Sequence, residues 1–201
     1  MKARIVVFCF YVVVLAFTAG SSLAQKSGQA AAGPAADEMK RALMDAAPGP
    51  SHQQLAKRVG KYTTVTRFVP QPGATAMESS GTSRISLVLD GRFLLEEDSA
   101  TFMGQASSGL RLWGYNNATK RYEACWTYTM STAILTLTGT TGDAGKTVTF
   151  AGGYDDENGV KQMLKVVTRQ LDNDRFVVEL TAQTPDGKDG ATLTTTYTRT
   201  K

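Results

Sequence analysis

From Lys61 to the end of the chain, apolar and polar residues alternate in segments of about eight to twelve residues. β-Branched and aromatic residues dominate these segments, and Gly, Asn, Asp and Pro separate them. A period of two is typical of strands that bury one face. The pattern predicts ten strands: Tyr62–Val69, Ser80–Leu89, Arg92–Phe102, Gly109–Tyr115, Tyr122–Tyr128, Ala133–Thr140, Thr147–Tyr154, Val160–Leu171, Arg175–Thr184 and Ala191–Arg199.

Short connections between these strands favour an antiparallel up-and-down arrangement. The strongest turn signal is Asp90-Gly91, because an Asp-Gly pair between two apolar runs supplies the positive φ angles of a primed hairpin turn. Closing the sheet into a barrel removes both edges, and ten strands leave an interior that side chains need not fill. The predicted fold class is therefore all-β, an antiparallel up-and-down barrel of about ten strands preceded by short helices.

Alternation within single strands also predicts which side chains share an apolar face. Each predicted apolar face is opposed by a more polar face on the same strand. The clearest apolar sets are Phe176, Val178, Leu180 and Ala182; Tyr122, Ala124, Trp126 and Tyr128; and Leu193, Thr195 and Tyr197.

The first 24 residues have the features of a secretory signal peptide. Met1–Arg4 is positively charged, Ile5–Ala19 is an uncharged apolar run, and Ser22 and Ala24 are the small residues expected before a cleavage site. Cleavage before Gln25 would leave about 177 residues, enough for one domain with a sizeable core. We therefore expect export to the periplasm or the medium, with an uncleaved membrane anchor as the alternative.

Residues 25–50 are rich in Ala, Gly and Pro, which predicts a flexible segment that contains a marginal helix at Ala35–Ala46. After a Pro-Gly-Pro break, Ser51 and Gln54 match a capping-box pair and predict a second short helix. The barrel domain is then expected to span residues 51–201.

Charge and cysteine content exclude some functions. The chain has 22 Lys and Arg; loss of Lys2 and Arg4 with the leader leaves 20, against 18 Asp and Glu. These charges are scattered, so no basic stripe for nucleic acid is expected. Of the two cysteines, Cys9 lies in the leader, so Cys125 cannot form an internal disulfide. We expect Cys125 to be buried and inert, with a reactive thiol as the alternative.

Few motifs with specific chemistry are present. His52 is the only histidine and stands at the start of a predicted helix, where we expect it to be solvated. One histidine cannot supply a zinc site, and its place before the barrel does not suit a haem ligand or a catalytic triad. The glycine-rich segment Gly139–Thr147 joins two strands and is expected to be a hairpin loop. Asp155–Gly159 lacks calcium-loop spacing. We thus expect no metal and no cofactor.

An ordered series of motifs runs through the barrel segment. It comprises Leu55–Val59 followed by Gly60-Lys61-Tyr62, Met77–Thr82, Gly91–Leu94, Phe102-Met103-Gly104, Gly114–Asn117, Cys125-Trp126 and Met130-Ser131-Thr132. With these motifs the chain resembles the bacterial domain-of-unknown-function family 1579 from about Ser51 to Arg199. The resemblance implies a calycin-type barrel related in architecture to lipocalins and nitrobindins, and it brings no activity.

The chain departs from the usual family pattern at three positions. It has Tyr62 where Trp is common, and Asn116 and Tyr128 where Asp is common. If those carboxylates form a shared polar site in the family, part of that site is missing here. Tyr62 would keep an aromatic plug at the closed end of the barrel.

Polar and aromatic residues on the central strands are the remaining candidates for a site. We favour Arg92, Tyr115, Trp126 and Tyr197 as cavity or rim residues, because a guanidinium beside aromatic rings can hold an anionic or amphipathic molecule. The alternative explanation is structural, with Arg–Glu pairs across strands on the outer face and a Trp–Tyr core.

The sequence therefore predicts an exported barrel that binds a small apolar or amphipathic ligand without covalent chemistry. An enzyme is the first alternative, a hydrolase or isomerase with Glu78, Glu96 or Tyr115 as acid or base. An unpaired carboxylate inside the cavity would favour the enzyme. The second alternative is an interaction or structural protein of the cell envelope, and a filled interior would favour it. Composition does not predict the oligomeric state.

Overall fold

A computed structural model of the protein describes residues 34–156, 158–184 and 187–201. The predicted signal peptide and the first part of the predicted flexible segment lie outside these residues and stay predictions. The elements are α1 Pro34–Asp45, α2 Pro50–Ala56, β1 Gly60–Val69, β2 Met77–Val88, β3 Phe93–Phe102, β4 Gln105–Asn116, β5 Arg121–Tyr128, β6 Leu135–Thr140, β7 Thr147–Asp155, β8 Lys161–Gln170, β9 Arg175–Gln183 and β10 Asp189–Arg199.

The strands form a closed barrel in which each strand pairs with its neighbours in sequence and β10 pairs with β1. All of these pairings are antiparallel, and the closing pair places Val65 opposite Thr196. The predicted all-β, ten-stranded up-and-down barrel is therefore confirmed. The largest differences are at β2 and β4, which begin at Met77 and Gln105 instead of Ser80 and Gly109. Backbone pairing continues there through polar residues that carry no apolar alternation.

The Asp90-Gly91 turn has the predicted geometry. Asp90 has φ 55° and Gly91 has φ 80°, and the Arg92 N–H donates to the Leu89 carbonyl oxygen at 3.2 Å. Two positive φ angles in succession define a primed turn, whose twist matches that of the paired strands. This turn fixes the register in which Val88 faces Phe93.

The predicted apolar faces point into the barrel. Phe176, Val178, Tyr122, Ala124, Trp126 and Tyr197 are buried, and Leu180 and Ala182 pack against this core. Tyr128 continues the inner face of β5 but is 37 % exposed, because it lies where that strand ends. The alternation therefore predicted the direction of each side chain, whereas burial also depends on distance from the barrel ends.

Both predicted helices are present, with different details. Met39, Leu43 and Met44 of α1 are exposed. The helix α2 begins at Pro50, and the Gly49 N–H donates to Nδ1 of His52 at 3.0 Å. The predicted Ser51–Gln54 capping pair is wrong, since proline at the first position moves the helix start. Neither helix of the described chain is long and apolar enough to cross a membrane.

Cys125 and the glycine-rich loop complete the comparison with the sequence. Cys125 is a free cysteine that is half-buried on the outer face of β5, so the expectation of a buried thiol is corrected. Its neighbours Ala124 and Trp126 take the inward positions, which leaves Cys125 outside. The segment Gly139–Thr147 connects β6 to β7 as the predicted hairpin loop.

Candidate functional site

The half of the barrel interior that is farther from α2 contains a cavity of about 490 Å³. Its wall is a mixture of small polar, small apolar and aromatic side chains, among them Thr64, Thr66, Ala100, Ser107, Trp126 and Tyr197. Tyr128 and Met130 also line it and are exposed at the rim. A volume of this size suits a small molecule.

The half of the interior nearer to α2 is filled. Phe176 stacks on Tyr197 with ring centroids 4.1 Å apart, and Tyr62 meets both rings edge-on. Trp113 packs edge-to-face against Phe150 at 5.7 Å. These large rings occupy the inward positions at one end of the strands, whereas Thr, Ser and Ala occupy many of them at the other. The change in side-chain size along the strands creates the cavity.

Glu96 lies below the cavity, between its wall and the aromatic core, and is 1 % exposed. Its Oε1 accepts hydrogen bonds from Arg111 Nη1 at 2.7 Å, Tyr197 Oη at 2.8 Å and Ser83 Oγ at 3.2 Å. Its Oε2 accepts from Trp113 Nε1 at 2.9 Å. All four partners donate, so this buried carboxylate is fully engaged in holding β2, β3, β4 and β10 together.

Arg111 connects Glu96 to the cavity. Its Nη2 lies 3.3 Å from Oδ1 of Asp98, and its guanidinium lies over the Trp126 ring, 5.1 Å from the centroid. Burial lowers the pKa of Arg111, but Tyr197, Glu96 and Asp98 outweigh burial and raise it above the usual value. Burial also raises the pKa of the Tyr197 hydroxyl well above its usual value. Arg111 is thus a permanent cation with its charge already shared between two carboxylates.

Two buried polar atoms at the cavity lack a hydrogen-bond partner among the described residues: Trp126 Nε1 and Asp98 Oδ1. The Asp98 contact with Arg111 is an ion pair that lacks the geometry of a hydrogen bond. Burial raises the pKa of Asp98, Arg111 opposes this, and Glu96 adds to it. Both atoms lie beneath the surface of the wall, so they are exceptions to the rule that buried polar groups are paired.

The structure separates the four favoured site residues into two places. Trp126 and Tyr197 line the cavity. Arg92 and Tyr115 instead border an open groove at the opposite end, beside α1 and α2. There Arg92 donates to the Leu89 carbonyl oxygen at 3.3 Å and lies 3.6 Å from the Asp90 carboxylate.

The alternative acid–base residues also lie apart. Glu78 is exposed, opposite Arg67 near the start of β2, at an outward position of that strand. Glu96 is inside but fully hydrogen-bonded, as described above. The predicted outer pairing of Arg and Glu is present on the neighbouring residues, where Arg84 Nη2 lies 2.7 Å from Glu97 Oε2. On β3, Glu96 thus forms hydrogen bonds inside the barrel, whereas Glu97 forms an ion pair on the outer face.

His52 is buried, which corrects the expectation of a solvated helix-start residue. It is 5 % exposed and packs edge-to-face against Tyr115, with ring centroids 5.8 Å apart. Burial lowers its pKa, a hydrogen bond with the Tyr115 backbone opposes this, and Arg92 lowers it further. The His52 ring thus packs the helix α2 against the barrel. The position of His52 at the start of its helix does not predict this contact.

Sequence reasoning passed over Asp98, and it counted Arg111 among the polar candidates of the central strands without favouring it. A signal for Asp98 was available: in Glu96-Glu97-Asp98, alternation places the first and third residues on the inner face with Leu94. Arg111 stands directly opposite Glu96 in the β3–β4 pairing. That register depends on the β3–β4 turn, where pairing extends to Phe102 and Gln105, farther than the sequence pattern predicted.

The family departures do not share one site in this protein. Asn116 lies at the helix end of β4, where its Oδ1 accepts from the backbone N–H groups of Ala118 and Thr119. Tyr128 lies at the cavity rim, at the other end of the same strand pair. Among the described residues, no three His, Cys, Asp or Glu side chains are grouped so that they could hold a metal ion.

A closed up-and-down barrel with an internal cavity places this protein in the class of calycin-like, lipocalin-like β-barrels. Within that class the chain belongs to the family described as "Protein of unknown function (DUF1579)", whose model matches residues 47–199. No curated protein matches the chain in sequence.

Three solved structures are similar to this chain at low sequence identity. An S-type phycobiliprotein lyase from Guillardia theta has a TM-score of 0.55 and 11 % identity, over 79 % of this chain and 97 % of that one. A redesigned β-barrel has a TM-score of 0.33 and 12 % sequence identity, over 76 % of this chain and 96 % of that one. A DUF3598-family protein of unknown function from Nostoc punctiforme has a TM-score of 0.24 and 7 % sequence identity, over 76 % of this chain and 100 % of that one. The first of these supports the fold alone.

Proposed function

We propose that this protein binds a small molecule, without covalent chemistry, in the cavity between Trp126 and the barrel rim. The observation that carries the proposal is an unfilled cavity of about 490 Å³ inside the barrel, lined by aromatic, aliphatic and small polar side chains. An apolar or amphipathic ligand would cover the aromatic and aliphatic part of this wall.

Two other functions were open from the sequence. An envelope protein without a ligand would have no need of an unfilled interior. For an enzyme, Glu78 is exposed and all four recorded partners of Glu96 are donors, so neither is a free acid or base in the cavity. Asp98 lines the cavity beside Arg111, and burial raises its pKa, which keeps an acid–base role for it as the second candidate.

The phycobiliprotein lyase has this fold in common with the chain. At 11 % identity it carries no ligand or reaction to this chain, and the proposal therefore rests on the cavity itself. We also propose export to the periplasm or the medium, which rests on the sequence of Met1–Ala24 alone.

The test uses N-phenyl-1-naphthylamine, an uncharged probe whose fluorescence rises in apolar surroundings. Ala182 lines the cavity, and Ala182→Phe would fill it; Ala151 is exposed on the outer face, so Ala151→Phe is the matched control. We expect the wild type and Ala151→Phe to bind the probe, and Ala182→Phe to bind at least about tenfold more weakly. Equal binding by all three, or binding by none, would refute the proposal.

Native mass spectrometry of protein purified from its own host provides a second measurement. A small molecule retained by the wild type and lost from Ala182→Phe would identify the natural ligand and assign it to the cavity.

A further inference from the structure

The cavity wall is polar on one side of the barrel and apolar on the other. In the closed ring of strands, β10, β1, β2, β3 and β4 are consecutive neighbours, and β5 to β9 form the other half. The first half contributes the inward Ser and Thr side chains of the wall: Thr64, Thr66, Ser79, Ser107 and Thr195. The second half contributes Trp126, Leu135, Leu164, Leu180 and Ala182. We call these two sides the hydroxyl wall and the apolar wall.

The division continues along the depth of the cavity. Thr64 on the hydroxyl wall and Leu164 on the apolar wall both lie deep, and each is 7 % exposed. Ser79 lies near the start of β2 and Ala182 near the end of β9, and both are half-buried towards the rim. A head-to-tail amphiphile changes polarity along its length, whereas this cavity changes polarity across its width.

The exceptions to this division lie mostly at the rim. They are the apolar residues of the hydroxyl wall and the tyrosines of the apolar wall: Ala100, Leu193, Phe68, Phe102, Tyr128 and Tyr154. Phe68 and Phe102 meet edge-on, with ring centroids 5.5 Å apart, where their strands end. Asp98 and Arg111 also belong to the hydroxyl wall, and their charges pair with each other at 3.3 Å. Below the rim, the two walls therefore keep their separate character.

Three side chains of the hydroxyl wall have a hydroxyl that is available to a ligand. The hydroxyls of Thr64, Ser79 and Ser107 make no hydrogen bond with another described residue, and their oxygens are not enclosed within the wall. Thr66 and Thr195 instead bond to each other, with their Oγ1 atoms 2.9 Å apart. Because a hydroxyl both donates and accepts, the three free groups can pair with hydroxyls of a ligand.

Resting on the proposed function, we infer that the ligand is a rigid ring compound with hydroxyl groups on one face and hydrocarbon on the other. Its hydrocarbon face covers the apolar wall, and its hydroxyls pair with Thr64, Ser79 and Ser107. A rigid ring system holds its hydroxyls on one face without losing conformational freedom on binding. A hydroxyl on the opposite face would lie against the apolar wall without a partner, which weakens binding.

Two bile acids that differ at one carbon test the inference. Chenodeoxycholate has both hydroxyls on one face of its ring system, whereas its epimer ursodeoxycholate has them on opposite faces. Their composition, size and charge are equal, so the comparison isolates the placement of one hydroxyl. Each displaces N-phenyl-1-naphthylamine at neutral pH, below the concentration at which it forms micelles. We expect chenodeoxycholate to reach half-displacement at a concentration at least about fivefold lower.

The outcomes of this comparison separate the inference from the proposed function. Equal displacement by the two epimers, stronger displacement by ursodeoxycholate, or displacement by neither would overturn the inference while the cavity still binds the probe. Failure of the probe itself to bind would instead refute the proposed function.

The double variant Thr64→Val/Ser107→Ala shows whether the preference comes from the hydroxyl wall, because the epimers also differ in the hydrocarbon surface that they present. It removes two free hydroxyls and leaves the apolar wall intact, so the ratio of the two half-displacement concentrations should fall to about twofold or less. Thr63→Val/Ser108→Ala is the matched control, since these adjacent residues of β1 and β4 are exposed on the outer face. We expect the control to keep the wild-type ratio. A wild-type ratio in both double variants would overturn the inference.

Discussion

The two ends of the barrel are built from the same strands and follow the same alternation, but the side chains that point inward differ in size. On β9, Phe176 is 2 % exposed in the aromatic stack near α2, whereas Leu180 is half-buried and lines the cavity. On β5, Tyr122 is buried at one end and Tyr128 is exposed at the other. One end therefore stabilises the fold through close packing, whereas the other end leaves a cavity that its side chains do not fill.

The sharpest way to break this comparison is to truncate one residue at each end of β9. Phe176→Ala removes a ring that stacks on Tyr197, meets Tyr62 edge-on and supports Arg58, and should lower the free energy of unfolding by about 4 kcal/mol. Leu180→Ala should cost about 1 kcal/mol, because its surroundings are already partly empty. Urea unfolding measures both. Equal losses would mean that the cavity end is packed as tightly as the filled end.

The next prediction compares the inner and outer faces of β3. Glu96→Gln should lower the free energy of unfolding by about 3 kcal/mol, because Gln offers one acceptor to four donors and leaves Arg111 with one carboxylate partner fewer. The outer control Glu97→Gln should change it by about 0.5 kcal/mol or less, since its pair with Arg84 is solvated. Similar losses in chemical denaturation would contradict the central place given to Glu96.

The sequence predicted one part of this division and missed another. Alternation and turn residues are local signals, so they located ten strands, the Asp90-Gly91 turn and the inward direction of Trp126 and Tyr197. To predict which residues share a site, one must know the register between the strands and the end of the barrel at which each residue lies. Both depend on pairing between distant segments of the chain. Arg92 and Tyr115 were therefore grouped with Trp126 although they lie at the other end, and Asp98 was passed over beside Glu96 and Glu97.

Burial also depends on tertiary contacts that no local pattern encodes. His52 has the sequence position of a solvated residue at a helix start, yet its ring fills the space against Tyr115. Cysteine is a residue type that is often buried, yet the alternation around Trp126 places Cys125 on the outer face. The neighbour that buries His52 belongs to the assembled barrel, whereas the outward position of Cys125 follows from the local alternation that its residue type obscured.

The smallest expected effect concerns pH and distinguishes the carboxylate of the cavity from one in a turn. Burial raises the pKa of Asp98, so the native state binds its proton more tightly than the unfolded chain does. Its contribution to stability is present below the unfolded pKa of about 3.9 and is lost as pH rises through the native pKa. In the β6–β7 loop, the Thr147 backbone N–H donates to Asp143 at 2.7 Å and lowers the pKa of that carboxyl. The contribution of Asp143 is therefore present at neutral pH and lost on acidification.

Asn substitutions at these two positions should consequently give opposite slopes. Between about pH 3 and pH 7, the free energy of unfolding of the wild type should fall relative to Asp98→Asn and rise relative to Asp143→Asn. Urea unfolding at a series of pH values measures both differences. Slopes of the same sign would mean that Asp98 is as well solvated and paired as a surface carboxylate. The surroundings of Asp98 would then resemble those of Asp143, which would contradict the burial of this carboxylate in the cavity wall.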